Sequence, residues 1–348
     1  MSATRLGEAA TPGTTASGRS RVRRLDLDRA KGFAILLVVF GHIVAAGPPA
    51  GVEWYDQVRY AIYRFHMPFF LYLSGTVVYV TGALNTPPGG LGQLAVRRAQ
   101  RLLVPFFLFG LLILVGKLVA QHVVHVDNQP EGFLNGLEDL FVTTERSPAT
   151  SVWYLWVLFV CSVLAPPIWR LAGPWGLVAA GLALMALEPP PVIYFDRLAR
   201  HAVFFALGVL VAARQDALLP LFLRYQPLWW AAFAASIAAA MWGWLPGDMS
   251  LLVCGIAAIP ALHGLMFLKL VERQSWPLFL GQYVMVIYLF NTIAIGVVKA
   301  VLLEVGVPWT AEGFWIHAPA LTLAGIALPI LGKVLVLRHI PPLDRITS

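Results

Sequence analysis

A chain of 348 residues that is 59% hydrophobic and only 12% charged, with mean hydropathy +0.74, is far too apolar for a soluble domain, where roughly a quarter of residues carry charge. Its net charge of +7 is divided among short connections and no folded basic domain separates the apolar stretches. The charge therefore reads as membrane topology and attraction to anionic lipid, and nucleic acid is excluded as a partner.

Apolar runs near twenty residues are membrane spans. Ten are predicted, at about 32–50, 60–84, 101–121, 151–170, 174–188, 199–213, 226–245, 250–270, 277–300 and 315–337, giving an all-α polytopic membrane protein. Residues 1–24, rich in Ala, Thr, Gly and Ser at first and in Arg at the end, are predicted to be a disordered basic cytoplasmic tail. Residues 25–340 form the transmembrane domain and 341–348 a short cytoplasmic tail. The first apolar stretch is longer than the core of a signal peptide and carries His42, with Asp26 and Asp28 ahead of it, so it is read as a span.

That first span runs Lys31-Gly-Phe-Ala-Ile-Leu-Leu-Val-Val-Phe-Gly-His42. Eleven residues at 100° each make three turns plus about 20°, so Lys31 and His42 share one face, about 16.5 Å apart along the axis. A charge at mid-bilayer costs at least ~2.5 kcal/mol, so ionisable groups there tend to mark sites. The second span packs Arg64-Phe65-His66-Met67-Pro68 and Leu73-Ser74-Gly75 into an apolar helix. Pro68 is expected to kink it and to free a backbone carbonyl near Arg64. At the start of the third, Arg98 and Arg101 stand at i and i+3, on one face, where they can clamp phosphates.

The longest connection, about 122–150, has the length of a binding loop, with a short helix predicted at Phe133–Phe141. Within it, His122-x4-Asp127 has the spacing of a glycerolipid-acyltransferase motif and, with His125, suggests a metal; it is a chance match, because the soluble domain that chemistry needs is absent. No metal is expected. Trp153 opens the fourth span. Cys161 and Cys254 fall inside spans in no metal-like spacing and are read as reduced packing residues.

With the N-terminus in the cytoplasm, inner segments hold 18 of the 25 cations but only 6 of the 18 acids, as the positive-inside rule requires. An even number of spans returns the C-terminus to the same side.

Three elements, in this order and spacing, resemble the membrane-integral acyltransferase-3 family, most nearly its fucose-4-O-acetylase-like branch: Asp28-Arg-Ala-Lys31-Gly with Lys31-x10-His42, Phe65-His66-Met67-Pro68 running to Leu73-Ser74-Gly75, and Arg98-x-x-Arg101 followed by Leu-Leu-Val-Pro105. Trp153-Tyr-Leu-Trp-Val-Leu-Phe159 is similar to the aromatic opening of that family's central helix. Where the family closes a late helix with a Ser, then Ile-Tyr-Leu and a His, this chain reads Gln282-Tyr-Val-Met-Val-Ile-Tyr288-Leu-Phe-Asn291, which puts any role for a late histidine in doubt.

The resemblance implies transfer of an acyl group, usually acetyl from cytoplasmic acetyl-CoA, to a hydroxyl of a saccharide, glycolipid or other cell-envelope acceptor, in a bacterial inner membrane. It implies His42 as the catalytic histidine, Lys31 as its basic partner and Arg98 and Arg101 as ligands of the CoA phosphates. His66 joins the catalytic candidates, Lys31 also the donor-binding ones, and Arg64, Ser74 and Trp153 are candidates for substrate binding. A structural alternative stands beside each: His42 as an interhelical hydrogen-bonding group, His66 as a packing residue, Lys31 as a snorkelling side chain, Arg98 and Arg101 as topology signals, Arg64 as half of a structural pair, Ser74-Gly75 as a helix-packing pair, and Trp153 as an interface anchor. The rival function is a transporter or flippase, which would favour corresponding broken helices in two halves, whereas this polar cluster is confined to the first three spans.

Overall fold

The computed structural model describes residues 24–44, 47–122, 129–149 and 151–347. The described residues are almost wholly helical, with no β-sheet beyond an isolated bridge between Thr143 and Val192. In chain order the helices are α1 (Leu25–Gly41), α2 (Glu53–Tyr63), α3 (His66–Val80), α4 (Leu91–Ala120), α5 (Phe133–Phe141), α6 (Trp153–Met185), α7 (Phe195–Ala213), α8 (Gln215–Arg224), α9 (Gln226–Met241), α10 (Gly247–Leu265), α11 (Lys269–Glu272), α12 (Trp276–Gln282), α13 (Val284–Glu304), α14 (Ala311–Leu335) and α15 (Pro341–Ile346). Five stretches are long and apolar enough to cross a membrane: Pro88–Ala120, Trp153–Met185, Gly247–Leu265, Val284–Glu304 and Ala311–His339. The pair α7 and α8, bent by 100°, makes a sixth if it is one span. Together these describe a multi-pass integral membrane protein. Its outer surface is accordingly apolar; Phe107, Leu108, Leu111, Leu112 and Val115 of α4 are all exposed, as lipid-facing side chains should be.

Several boundaries differ from those the hydropathy suggests, and polar groups explain them. The apolar run 32–50 stops being helical at Gly41. Its last carbonyls, which a helix end leaves unpaired, are taken by α2: the Tyr55 hydroxyl donates to Phe40 O (2.6 Å), the Tyr63 hydroxyl to Gly41 O (2.9 Å), and Arg59 to Val44 O (2.7 Å). The run 60–84 is broken outright rather than kinked. The chain leaves α2 at Arg64, and α3 restarts at His66 with Pro68 in its first turn, where a missing N–H costs nothing. The run 277–300 is split at Tyr283 into α12 and α13.

The two runs 151–170 and 174–188 lie in α6, which reverses at Gly173 (φ 63°, ψ −161°) just before Pro174. Its two ends return to one level. Trp153, at the start, lies against His201 of α7 with ring centroids 4.8 Å apart, and a Cβ at Gly181, near the finish, would come 2.6 Å from the Cα of Val203.

Close approach fixes the bundle. A Cβ on Gly75 of α3 would sit 2.0 Å from the carbonyl oxygen of Phe205, and one on Gly208 of α7 would sit 2.0 Å from that of Tyr72, so these two helices touch through backbone. At the Arg24 end, a buried polar chain links four helices. Arg24 pairs with Asp26 (2.7 Å) and donates to Gln215 of α8 (2.7 Å). Asp26 accepts from His263 of α10 (3.3 Å), whose other ring nitrogen meets the Tyr72 hydroxyl of α3 (2.5 Å). Lys333 of α14 holds the C-terminal segment through Asp344 (2.8 Å) and Thr347 (2.8 Å).

Candidate active site

The early end of α1 puts His42 at the helix C-cap, its N–H still bonded to Val38 and Val39 carbonyls, so Lys31 and His42 remain on one continuous helical turn pattern. His42 Nδ1 lies 2.8 Å from Oδ1 of Asn291 in α13. Asn291 is fully buried, and its Nδ2 donates to Ile287 O (2.9 Å) and Tyr288 O (2.8 Å). With its amide hydrogens so used, Asn291 can offer His42 only an acceptor, and His42 must carry its proton on Nδ1. Its Nε2 is thereby left as the basic lone pair.

About one turn before Asn291 on α13, Tyr288 begins a run of hydroxyl contacts. Tyr288, beside Asn291, donates to Ser151 O, and its ring is 5.4 Å from that of Tyr154 on α6. The Tyr154 hydroxyl meets Ser74 Oγ of α3 at 2.6 Å, and Ser74 also donates to Phe70 O (2.8 Å). Ser74 thus has a phenol and a carbonyl as partners, with no base among them to make it a nucleophile.

His66, at the start of α3, bonds Ile62 O through Nδ1 (2.8 Å) across the break and packs on Tyr63 (4.9 Å between rings), the residue that caps Gly41. His66 lies within electrostatic range of His42, and His201 within range of His66. His201 bonds Arg197 O through Nδ1 (2.8 Å). All three imidazoles therefore keep Nδ1 on an oxygen and Nε2 available.

Lys31 stands 4.0 Å from Asp28 and has Arg101 among the charges acting on it; Arg98 in turn has Arg101 and Arg97. Cations from α1 and α4 thus meet at the end of α1 that carries the Arg24–Asp26 pair. Such a cluster suits a polyanion, and half-buried Arg98 beside exposed Arg101 offers two planar donors for phosphate.

Arg64 is not brought to this centre, and Trp153 reaches only its edge, against His201 and Tyr154. Arg64 lies over the Tyr60 ring (4.2 Å) and donates to Ser250 of α10 (3.1 Å), while Trp153 packs on His201 and under Arg197 (5.9 Å). Asn291, Tyr154 and His201 are neighbours of these residues that the sequence does not single out as candidates. The available signal for Asn291 is a buried amide within an apolar helix, which demands a partner. Among the described residues no three His, Cys, Asp or Glu side chains gather as a metal set. The match His122-x4-Asp127 runs into residues outside the described ones.

Residues 24–334 match the acyltransferase domain of the acyltransferase-3 family. The nodulation protein NolL of Sinorhizobium fredii is 28% identical over 231 residues, covering 64% of this chain and 59% of that protein. NolL of Mesorhizobium japonicum is 26% identical over 194 residues, covering 55% of this chain and 48% of that protein. The match thus spans between about half and three-fifths of these relatives' length. No solved structure matches the chain. A domain match over nearly the whole chain means that the chain belongs to the acyltransferase-3 family.

Proposed function

We propose that this protein is a membrane-bound O-acyltransferase that moves an acyl group, acetyl in the first instance, from cytoplasmic acyl-CoA to a hydroxyl of a saccharide or other cell-envelope acceptor. The observation that carries the reading is His42, held through Nδ1 by Asn291, with Nε2 free, on the same helix as a cation cluster fit for CoA phosphates. Lys31, Arg98 and Arg101 bind the donor's anionic end, and the roughly 16.5 Å of helix from Lys31 to His42 accommodates its long arm. His42 Nε2 takes the proton of the acceptor hydroxyl as that oxygen attacks the thioester carbonyl. The new C–O bond forms, the C–S bond breaks, and the imidazolium returns its proton to the departing thiolate. General-base catalysis of this kind is worth roughly 10²- to 10⁴-fold.

In this reading the chain crosses a bacterial inner membrane ten times, with both termini in the cytoplasm. The reversal of α6 at Gly173 supports counting two crossings there, and the short helices α1, α3 and α9 supply others beside the longest ones. The test incubates membranes containing the protein with labelled acetyl-CoA and follows label into saccharide and glycolipid fractions. Label transferred in proportion to the protein supports the reading, and none in any fraction refutes it.

A further inference from the structure

At the end of the bundle away from Lys31, the start of α7, the start of α10 and the connection after α6 border a half-open cavity of about 320 Å³, lined by Glu188, Asp196, Arg200 and Asp248 among others. The volume falls in the ~300–1,000 Å³ range of small-ligand pockets. It lies across the membrane from the donor cluster. α7 runs 19 residues, about 28 Å, from this cavity to Ala213, just before Gln215, the partner of Arg24.

Asp196 and Asp248 stand in the first turns of α7 and α10, where the helix dipole favours carboxylates, and that alone would account for their charge. Their pairing goes further. Arg200 is shared, with Nε 3.1 Å from Asp248 Oδ2 and Nη1 3.8 Å from Asp196 Oδ2, while Arg197 Nε also approaches Asp196 Oδ2 at 3.3 Å. Asp196 is 7% exposed, and its Oδ1 has no hydrogen-bond partner at all. A buried carboxylate oxygen without a donor is costly, and the two guanidiniums on Oδ2 are the charges that offset it. Glu188 holds a left-handed φ of 42°, a conformation costly for a residue with a Cβ, on the rim of the same cavity.

A site with carboxylate acceptors and a guanidinium donor, rather than an apolar wall, fits a ligand bristling with hydroxyls. Three carboxylates, against Arg200 in the lining and Arg197 beside Asp196, leave the site net acidic, so it disfavours anions, in contrast to the cationic donor end. α7 connects the cavity to the imidazoles: about one and a half turns beyond Asp196, His201 packs on Trp153, and His66 lies within electrostatic range of both His201 and His42.

Building on the acyltransferase reading above, we propose that this cavity is the entry subsite for the acceptor, and that it takes a non-anionic saccharide whose hydroxyls pair with Asp196, Asp248, Glu188 and Arg200. The acceptor and the acyl-CoA then reach His42 from opposite membrane faces. The test uses the full chain in lipid nanodiscs with methyl glucoside, methyl galactoside and methyl fucoside as neutral probes and methyl glucuronide as the anionic one. Two readouts are taken: acetyl transfer from acetyl-CoA, and direct binding by saturation-transfer NMR. The expected result is that at least one neutral glycoside binds, that Asp248→Asn and Glu188→Gln each raise its KM and weaken its NMR signal about tenfold, and that the KM for acetyl-CoA stays within twofold. The glucuronide should be the poorer ligand, and the gap should narrow in both variants as negative charge is removed. Binding of no neutral glycoside, equal binding in wild type and both variants, or preference for the glucuronide would overturn the proposal. The two ideas separate: acetyl transfer with unchanged acceptor KM in both variants removes this subsite and leaves the acyltransferase reading, whereas variant-sensitive binding without any transfer does the reverse.

Discussion

Replacing Asn291 by leucine keeps the branching and heavy-atom count of the side chain and deletes the oxygen that accepts from His42 Nδ1. A buried donor left without its acceptor costs about 1–3 kcal/mol, and His42 can escape that cost by rotating or by moving its proton to Nε2. Either response takes away the base. With a tenfold change for every ~1.4 kcal/mol, kcat should fall roughly 10- to 100-fold. Asn291 touches His42 and its own helix carbonyls and none of the cations near Lys31, so the KM for acetyl-CoA should hardly move. Asn291→Asp retains an acceptor for Nδ1 and should recover most of the lost rate. The assay is steady-state kinetics of purified protein in nanodiscs, varying donor and acceptor separately, with circular dichroism to establish that both variants fold. Wild-type kcat in Asn291→Leu, or equal losses in the leucine and aspartate variants, would refute the claim that this amide sets the histidine's proton.

The inner cations give a second expectation: Arg98→Gln and Arg101→Gln should raise the KM for acetyl-CoA more than that of the acceptor, and Arg98→Lys should recover only part of the affinity, because lysine cannot make the bidentate phosphate contact. Unchanged donor KM in both Gln variants would make these residues topology signals. A reporter fused after Arg345 should be cytoplasmic and one inserted at Asn128 external, by protease accessibility in intact cells; both on one side would mean a miscounted span. Gly75→Ala forces a Cβ to within 2.0 Å of Phe205 O and should destabilise the α3–α7 contact by about 1–3 kcal/mol, read as a lower Tm in detergent, with an unchanged Tm contradicting the packing argument.

Much of the helix placement was legible in hydropathy, because apolar length is what a bilayer demands; α4, α10, α13 and α14 all fall on predicted runs. The breaks were not. Nothing in the run 32–50 announces that Tyr55, Tyr63 and Arg59 would satisfy the carbonyls of a helix ending at Gly41, since those donors come from the next helix. Pro68 was visible, but whether it kinks a helix or opens one depends on where the preceding helix stops. The inner cations and His42 could be grouped because α1 carries two of them at helical spacing. The partner of His42 could not, for Asn291 lies 249 residues away and becomes a neighbour only through the packing of α13 on α1. In sequence it reads as a departure from the late-histidine pattern; in the fold it is the group that holds the His42 imidazole.

The most direct test of the account compares wild type with His42→Ala, in membranes given labelled acetyl-CoA, at matched levels of inserted protein. The account predicts label in a saccharide or glycolipid fraction with the wild type and at least ~10²-fold less with the variant, because the base that deprotonates the acceptor is gone. Equal labelling by the two proteins would contradict it.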